Sequence, residues 1–238
     1  MTDILLIHGS CHGAWCWRDL IPALAAVGLT ARAIDLPSHG HDTTPPDQIT
    51  LDSYADAILA ACNGPTVVLG HSMAGYPITA AAQKDPSKIA ALIYLCAYVP
   101  QPGKSLADMR RMAPSQPLLD AILVSEDRVT FSIDPDKAAE KFYHDVPADR
   151  AAWATSNLGP QPILPQETAL PDRSRAEALP RHYIRCTDDR TIPPAFQHTM
   201  TEHWHGGAVA DLPLSHSPFL ADPALLARTI AALSLPRG

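Results

Sequence analysis

The sequence has few charged side chains and no concentration of positive charge. Charged residues make up 18% of its 238 residues, and the formal net charge is −7. Because a nucleic-acid surface needs clustered lysine and arginine, we expect no nucleic-acid partner. The apolar content is 46%, which is enough for a substantial core and excludes global disorder.

Long hydrophobic runs are also missing. No segment approaches the roughly 18 consecutive apolar residues needed to cross a bilayer, so we expect no membrane partner. The N-terminal stretch lacks the basic start and apolar region of a secretory signal peptide. The five cysteines are odd in number and scattered, which favours buried free thiols in a reducing compartment. We therefore predict a cytoplasmic protein, either a monomer or a homodimer.

Strand and helix patterns alternate through the first hundred residues. Strands are predicted at 4–7, 30–34, 67–69 and 89–96, and helices at 20–27, 51–62 and 73–83. The pattern resumes with strands at 183–186 and 208–212 and helices at 194–204 and 223–233. This alternation is typical of an α/β fold with a doubly wound, mainly parallel sheet of about six strands.

Residues 100–180 interrupt the alternation. They are rich in proline and charge, with helical patterns at 105–112, 135–142 and 148–153. An insertion this long in a sheet protein is more often a cap over a site than a structureless loop. We predict a core formed by 1–99 and 181–238 and a helical cap formed by 100–180.

The stretch Gly70-His71-Ser72-Met73-Ala74-Gly75 carries the strongest chemical signal. It follows the apolar run Thr66-Val67-Val68-Leu69 and precedes helix-forming alanines. A strand, Gly-x-Ser-x-Gly and a helix together form a nucleophile elbow, in which a sharp turn presents the serine at the edge of the sheet. Ser72 is the predicted nucleophile.

A serine hydroxyl needs an adjacent base, and that base is commonly oriented by a carboxylate. His216 follows the last predicted strand, and Asp188 and Asp189 follow the strand before it. The chain order Ser, Asp, His is the order found in α/β folds that carry a nucleophile elbow. His203 and His205 have a spacing that is found in metal sites, but they precede the strand and are better explained as a solvated helix end.

The chemistry also requires two N–H donors for the charged oxygen of a tetrahedral intermediate. One is expected from Met73, directly after the nucleophile. The other is expected from the loop after the first strand, where Gly9 permits a close turn and Ser10 is the predicted donor.

Several further motifs resemble the plant methylesterase and hydroxynitrile lyase group of α/β-hydrolases, which has bacterial esterase relatives. The resemblance lies in 8–15 (HGSCHGAW), 35–41 (DLPSHGH), 88–94 (KIAALIY), 186–193 (CTDDRTIP) and 196–197 (FQ). It implies an α/β-hydrolase fold with a helical cap, and no cofactor or metal. It also implies that Asp189, rather than Asp188, is the acid beside Ser72 and His216.

Two positions separate the esterases of this group from its lyases. The resemblance implies threonine at position 9 and lysine after the histidine in a lyase, whereas this chain has Gly9 and Ser217. Both residues favour a serine carboxylic ester hydrolase acting on a small-molecule ester. Two alternatives stay open: a lyase or hydrolase that cleaves C–C bonds with the same triad, and a non-catalytic ligand-binding protein.

The substrate pocket is predicted from apolar side chains of the cap, together with Gly9 and Ser217. The cap candidates are Met109, Met112, Leu118, Leu119, Leu123 and Trp153. The alternative is that they form the core of the cap itself. Trp15 and Trp17 are expected to pack near the base of the site.

Overall fold

The structure is a computed structural model, and it describes residues 3–233 and 235. Its main sheet has six strands in the order β2-β1-β3-β4-β8-β9, and every neighbouring pair is parallel. The strands of this sheet are β1 Asp3–Ile7, β2 Thr30–Ile34, β3 Thr66–His71, β4 Ile89–Leu95, β8 Arg181–Cys186 and β9 Val209–Leu212. The predicted α/β-hydrolase sheet is confirmed.

The central strands β1, β3 and β4 are buried on both faces, which explains why they are largely apolar. Ile4 and Leu6 pack into the core on one face, and Leu5 and Ile7 pack into the core on the other. This division follows from the two-residue period of a strand. The structure contains the helices α1 Leu20–Ala26, α2 Leu51–Ala61, α3 Gly75–Lys84, α4 Leu106–Met112, α5 Pro135–Phe142, α6 Ala148–Ser156, α7 Leu164–Glu167, α8 Ser174–Glu177, α9 Pro194–Thr201, α10 Pro218–Ala221 and α11 Pro223–Ala232.

Helices cover each face of the main sheet. Leu20 of α1 and Ile230 of α11 join one core, whereas Ile58 of α2 and Ile78 of α3 join the other. The start of α2 is set by a capping box, in which Thr50 and Ser53 each accept a hydrogen bond from the other residue's backbone N–H.

The predicted cap region contains a small sheet that the sequence did not predict. Strands β5 Ile122–Val124, β6 Thr130–Ile133 and β7 Gln161–Pro162 pair antiparallel. They have three, four and two residues, too short for a periodic pattern to be recognised. The predicted cap region therefore combines helices α4–α8 with a three-stranded sheet.

The division into core and cap stays a prediction. Near the C-terminal end of the predicted cap region, Asp172 accepts a hydrogen bond from Gln83 of α3, and Arg175 of α8 donates to the carbonyl oxygens of Gln83 and Lys84. All five cysteines are buried and free, as expected. Within residues 3–233 and 235, no helix combines the length and the apolar character that a membrane crossing needs.

Candidate active site

The site lies where parallel strands end. Because the carboxyl ends of parallel strands meet at one edge of the sheet, the segments after β1, β3, β8 and β9 come together there. These segments carry Ser10, Ser72, Asp189 and His216.

The turn after β3 puts Ser72 in a strained conformation. Its φ is +56°, in the left-handed region that a side chain rarely adopts, and Ser72 begins a single 3₁₀ turn before α3. The glycines on either side are needed for close packing. A Cβ on Gly75 would lie 1.9 Å from the carbonyl oxygen of Tyr98, and one on Gly70 would lie 2.9 Å from that of Ala74. The chain can therefore turn sharply only with glycine at both positions.

His216 reaches Ser72 from the loop after β9. Its Nε2 lies 3.0 Å from the Ser72 Oγ, and the imidazole is 1% exposed. The ring of Phe142 stacks on the imidazole with a centroid distance of 5.7 Å. The Nε2 of His71 donates to the carbonyl oxygen of His216 at 2.8 Å, which holds the backbone of the loop in place. His71 lies inside the elbow motif, but sequence reasoning gave it no role.

Asp189 lies on the other side of the imidazole. Its Oδ2 is 2.8 Å from the Nδ1 of His216, so Nδ1–H donates to the carboxylate and Nε2 is left to accept the Ser72 proton. The Oδ1 of Asp189 accepts the N–H groups of Thr191 and Ile192 at 2.7 and 2.9 Å. Asp189 is 5% exposed.

Gln197 of α9 holds Asp189 in place; the motif at 196–197 contains this residue, but sequence reasoning gave it no role. Its Nε2 donates to the Asp189 Oδ2 at 2.9 Å, and its Oε1 accepts the N–H of Cys186 at 2.9 Å. The same side chain thus links the acid to the end of β8. Asp188 is exposed, and the structure brings Asp189, rather than Asp188, beside His216.

The two expected oxyanion donors lie on the same cavity. Met73 occupies the first turn after Ser72, where backbone N–H groups have no partner within a helix. Ser10 is tied to the cap, because the Nε2 of Gln166 donates to its Oγ at 2.8 Å. His12, two residues later, shares a 2.8 Å hydrogen bond with the hydroxyl of Tyr143. Cap side chains thus fix the loop that carries Ser10.

The inner cavity, as we name the space around Ser72, is narrow, with a volume of about 30 Å³. That is room for roughly two or three water molecules. Its lining combines the residues of the catalytic edge with side chains of the cap: Ser10, His12, His71, Ser72, Met73, Tyr98, Leu106, Arg110, Leu118, Phe131, Phe142, Gln166, Thr191 and His216.

The predicted pocket residues are distributed differently from the expectation. Of the apolar cap candidates, Leu118 lines the inner cavity, whereas Leu119 is 54% exposed and lines a neighbouring cleft. Met109 is fully buried in the core, and Met112 is 48% exposed. Neither side chain lines the inner cavity, because Met109 packs in the core and Met112, at the end of α4, faces solvent.

Two further pocket candidates also lie away from the inner cavity. Trp153 packs edge-on against Trp15, under the guanidinium of Arg18, and does not line the inner cavity. Leu123 is half-exposed on β5, away from the inner cavity. Ser217 is buried beside the site but outside this lining.

Gly9 lies against Ser72 rather than on the cavity wall. A Cβ at this position would be 2.7 Å from the His71 Nδ1 and 3.0 Å from the Ser72 Cβ. Trp17 packs near the base of the site as expected, with its ring 6.3 Å from that of His71.

Burial disfavours the charged form of two histidines beside the site. Burial lowers the pKa of His12 to about 4, and burial followed by the charge of His216 lowers the pKa of His71 well below 6.5. His71, Cys96 and His216 form a group with donor atoms within 4.8 Å of one another. Burial raises the pKa of the Cys96 thiol, the Nε2 of His71 donates to the His216 carbonyl oxygen, and the Nδ1 of His216 is paired with Asp189.

Comparisons with known proteins agree with this architecture. The alpha/beta hydrolase family matches residues 4–229. A pyrethroid hydrolase of Sphingobium wenxiniae is 34% identical, covering 97% of this chain and 87% of that protein. Methylesterase 17 of Arabidopsis thaliana is 29% identical, covering 93% and 87%. The crystal structure of a pyrethroid hydrolase from Sphingobium faniae has a TM-score of 0.84 and 32% identity, covering 97% of this chain and 96% of the other.

Proposed function

Since the chain belongs to the alpha/beta hydrolase family and is a carboxylic ester hydrolase, we propose that it works through a triad of Ser72, His216 and Asp189 and an acyl-enzyme intermediate. The observation that carries this proposal is the unbroken chain of hydrogen bonds, 3.0 Å from Ser72 to His216 and 2.8 Å from His216 to Asp189. All three side chains are buried at one edge of the sheet.

In the first half-reaction the Oγ of Ser72 attacks the ester carbonyl while the Nε2 of His216 takes the hydroxyl proton. The buried carboxylate of Asp189 stabilises the imidazolium that forms. The N–H groups of Ser10 and Met73 bind the oxyanion. His216 then protonates the departing alcohol. Water attacks the acyl-enzyme in the same way and releases the acid and Ser72.

The inner cavity supports a small group next to the reacting carbonyl. At about 30 Å³ it accommodates a short alcohol or acyl part without rearrangement, and its cap side of Leu106, Leu118 and Phe131 is apolar. The larger part of a substrate must therefore extend toward the cap surface.

A cyanohydrin lyase is disfavoured by two local observations. The imidazole of His71 occupies the space that a side chain at position 9 would need. Position 217 carries a buried serine without positive charge, so no cation follows His216 to stabilise cyanide.

The test is a screen of methyl, aryl and short-chain esters beside mandelonitrile. We expect ester hydrolysis by the wild-type protein and no cyanide release above the background rate. Ser72→Ala, measured in parallel, should lose the ester turnover. Cyanide release with negligible ester turnover would contradict the proposal and favour the lyase. Tight binding of an ester without turnover would favour the non-catalytic protein.

A further inference from the structure

A second, larger cavity adjoins the inner cavity from the outside. This outer cleft has a volume of about 290 Å³ and opens on the surface of the cap. Its lining is made almost entirely by elements of the cap: Ala107, Arg110, Arg111, Leu119, Ile122, Val124, Arg128, Phe131, Ile163, Gln166 and Glu167. Arg110, Phe131 and Gln166 line both cavities, so these three side chains separate the reacting centre from the outer cleft.

Helix α4 explains why Arg110 faces both spaces. Residues three and four apart lie on one face of a helix, so Ala107, Arg110 and Arg111 form one strip toward the outer cleft. Leu106 and Arg110, four apart, face the inner cavity. Arg110 is the only lysine or arginine among the residues lining the inner cavity.

The guanidinium of Arg110 is not neutralised within the described residues 3–233 and 235. Its Nε is buried and has no hydrogen-bond partner there. The next residue differs, since Arg111 donates to Asp108 at 3.0 Å on the surface. A buried donor without a partner carries a desolvation cost, and a ligand that accepts from it recovers that cost.

The walls of the outer cleft combine positive charge with apolar surface. Three arginines, Arg110, Arg111 and Arg128, face one carboxylate, Glu167. Between them Leu119 and Val124 are 54% and 48% exposed, although both are apolar. An aliphatic chain that ends in an anion would cover this apolar surface and bring a negative charge to Arg110.

We propose that the substrate is an ester whose far end carries a carboxylate, and that Arg110 binds this carboxylate while the reacting ester lies at Ser72. This inference rests on the proposed function. It assigns the small alcohol part to the inner cavity and the aliphatic chain with its anion to the outer cleft. Arg110 is thus a specificity-determining residue, and half-esters of aliphatic dicarboxylic acids are the substrate class.

The simpler explanation of Arg110 is structural. It lies in the last turn of α4, where positive charge complements the helix dipole, and its aliphatic stem covers the inner cavity. Neither role requires an anion in the substrate. The two explanations differ in whether the charge of Arg110 changes the choice between substrates.

The test compares two methyl esters of equal chain length. Monomethyl adipate ends in a carboxylate, and methyl hexanoate ends in a methyl group at the same position. Methanol release gives kcat/KM for each. We expect wild-type protein to prefer the anionic ester by about tenfold to a hundredfold, the range of one charge-assisted hydrogen bond. Methyl 6-aminohexanoate, which carries the opposite charge, should be the poorest substrate.

Variants separate charge from packing. Arg110→Met keeps the aliphatic stem and should remove most of the preference, whereas Arg110→Lys should keep part of it. Arg228→Gln, at an exposed position of α11, is the matched control and should leave the ratio of the two kcat/KM values unchanged.

Two results would overturn the substrate inference and leave the proposed function intact. One is an unchanged ratio of the two kcat/KM values in Arg110→Met. The other is hydrolysis of methyl hexanoate by the wild type with no preference for the anionic ester. Hydrolysis of neither ester would contradict the proposed function, and the inference with it.

Discussion

Replacing Asp189 by asparagine tests the assignment of the acid. The amide keeps the shape of the carboxylate, and its oxygen still accepts the N–H groups of Thr191 and Ile192 at 2.7 and 2.9 Å. Its Nδ2 takes the place of the Oδ2, which in the wild type accepts from His216 at 2.8 Å and from Gln197 at 2.9 Å. A donor then faces the Gln197 donor, and the imidazole must accept at Nδ1.

The consequence for His216 is a change of tautomer. An imidazole that accepts at Nδ1 carries its proton on Nε2 and has no lone pair to take the proton of Ser72. The same change in a serine protease lowers kcat by about 10⁴, which corresponds to about 5.4 kcal/mol in the barrier. The clash of buried donors should also lower the free energy of unfolding by roughly 1–3 kcal/mol.

The assay is p-nitrophenyl acetate hydrolysis, with urea unfolding to confirm that the variant is folded at the assay temperature. Asp188→Asn is the matched control, because Asp188 is the exposed neighbour with the same side chain. We expect the control to stay within about twofold of the wild type, as for a surface substitution. A folded Asp189→Asn with more than a tenth of wild-type kcat would refute the assignment, and so would a greater loss in Asp188→Asn.

Three other predictions follow from single contacts. Gly9→Ala places a Cβ 2.7 Å from the His71 Nδ1 and should cost about 1–3 kcal/mol of stability and most of the esterase activity. A thermal midpoint and a kcat equal to those of the wild type would contradict the expected clash with His71. Gln166→Ala removes the 2.8 Å hydrogen bond to the Ser10 Oγ and should lower kcat about fivefold to tenfold with little change in KM. Gln48→Ala, at an exposed position, is the control, and equal kcat values in the two variants would contradict a role of Gln166 in positioning Ser10. Acid should destabilise the fold, because His12 of the unfolded chain binds a proton near pH 6.5, whereas burial lowers the pKa of His12 in the folded protein to about 4. The stability contributed by this group is full above pH 6.5 and falls by about 2 kcal/mol at pH 5. Equal urea-unfolding free energies at pH 7 and pH 5 would be inconsistent with neutral buried histidines.

The sequence predicted the part of the fold that depends on local patterns. The strand before Ser72 is buried along its whole length, and its Val67-Val68-Leu69 run is distinct in the sequence. Close packing allows no side chain at positions 70 and 75, so the turn requires glycine at both, and this requirement made the motif recognisable in the sequence. The position of the catalytic edge follows, since parallel strands end together.

The cap could not be predicted in the same way. Its three strands are short, and whether Met109, Met112 or Leu118 reaches the inner cavity depends on how α4 and the following loop sit over the sheet. The roles of Gln197 and Gln166 were missed for a related reason. Each acts through a contact with a residue distant in the chain or in another element, and a lone glutamine gives no local signal of such a contact.

The most direct test of the account is covalent labelling of the nucleophile. Purified protein is treated with a fluorophosphonate, and the modified peptide is identified by mass spectrometry together with the remaining p-nitrophenyl acetate activity. We predict one equivalent of label on Ser72, loss of activity in proportion to labelling, and neither label nor turnover in Ser72→Ala. Label on another residue, with ester hydrolysis retained by Ser72→Ala, would contradict the assignment of Ser72 as the nucleophile.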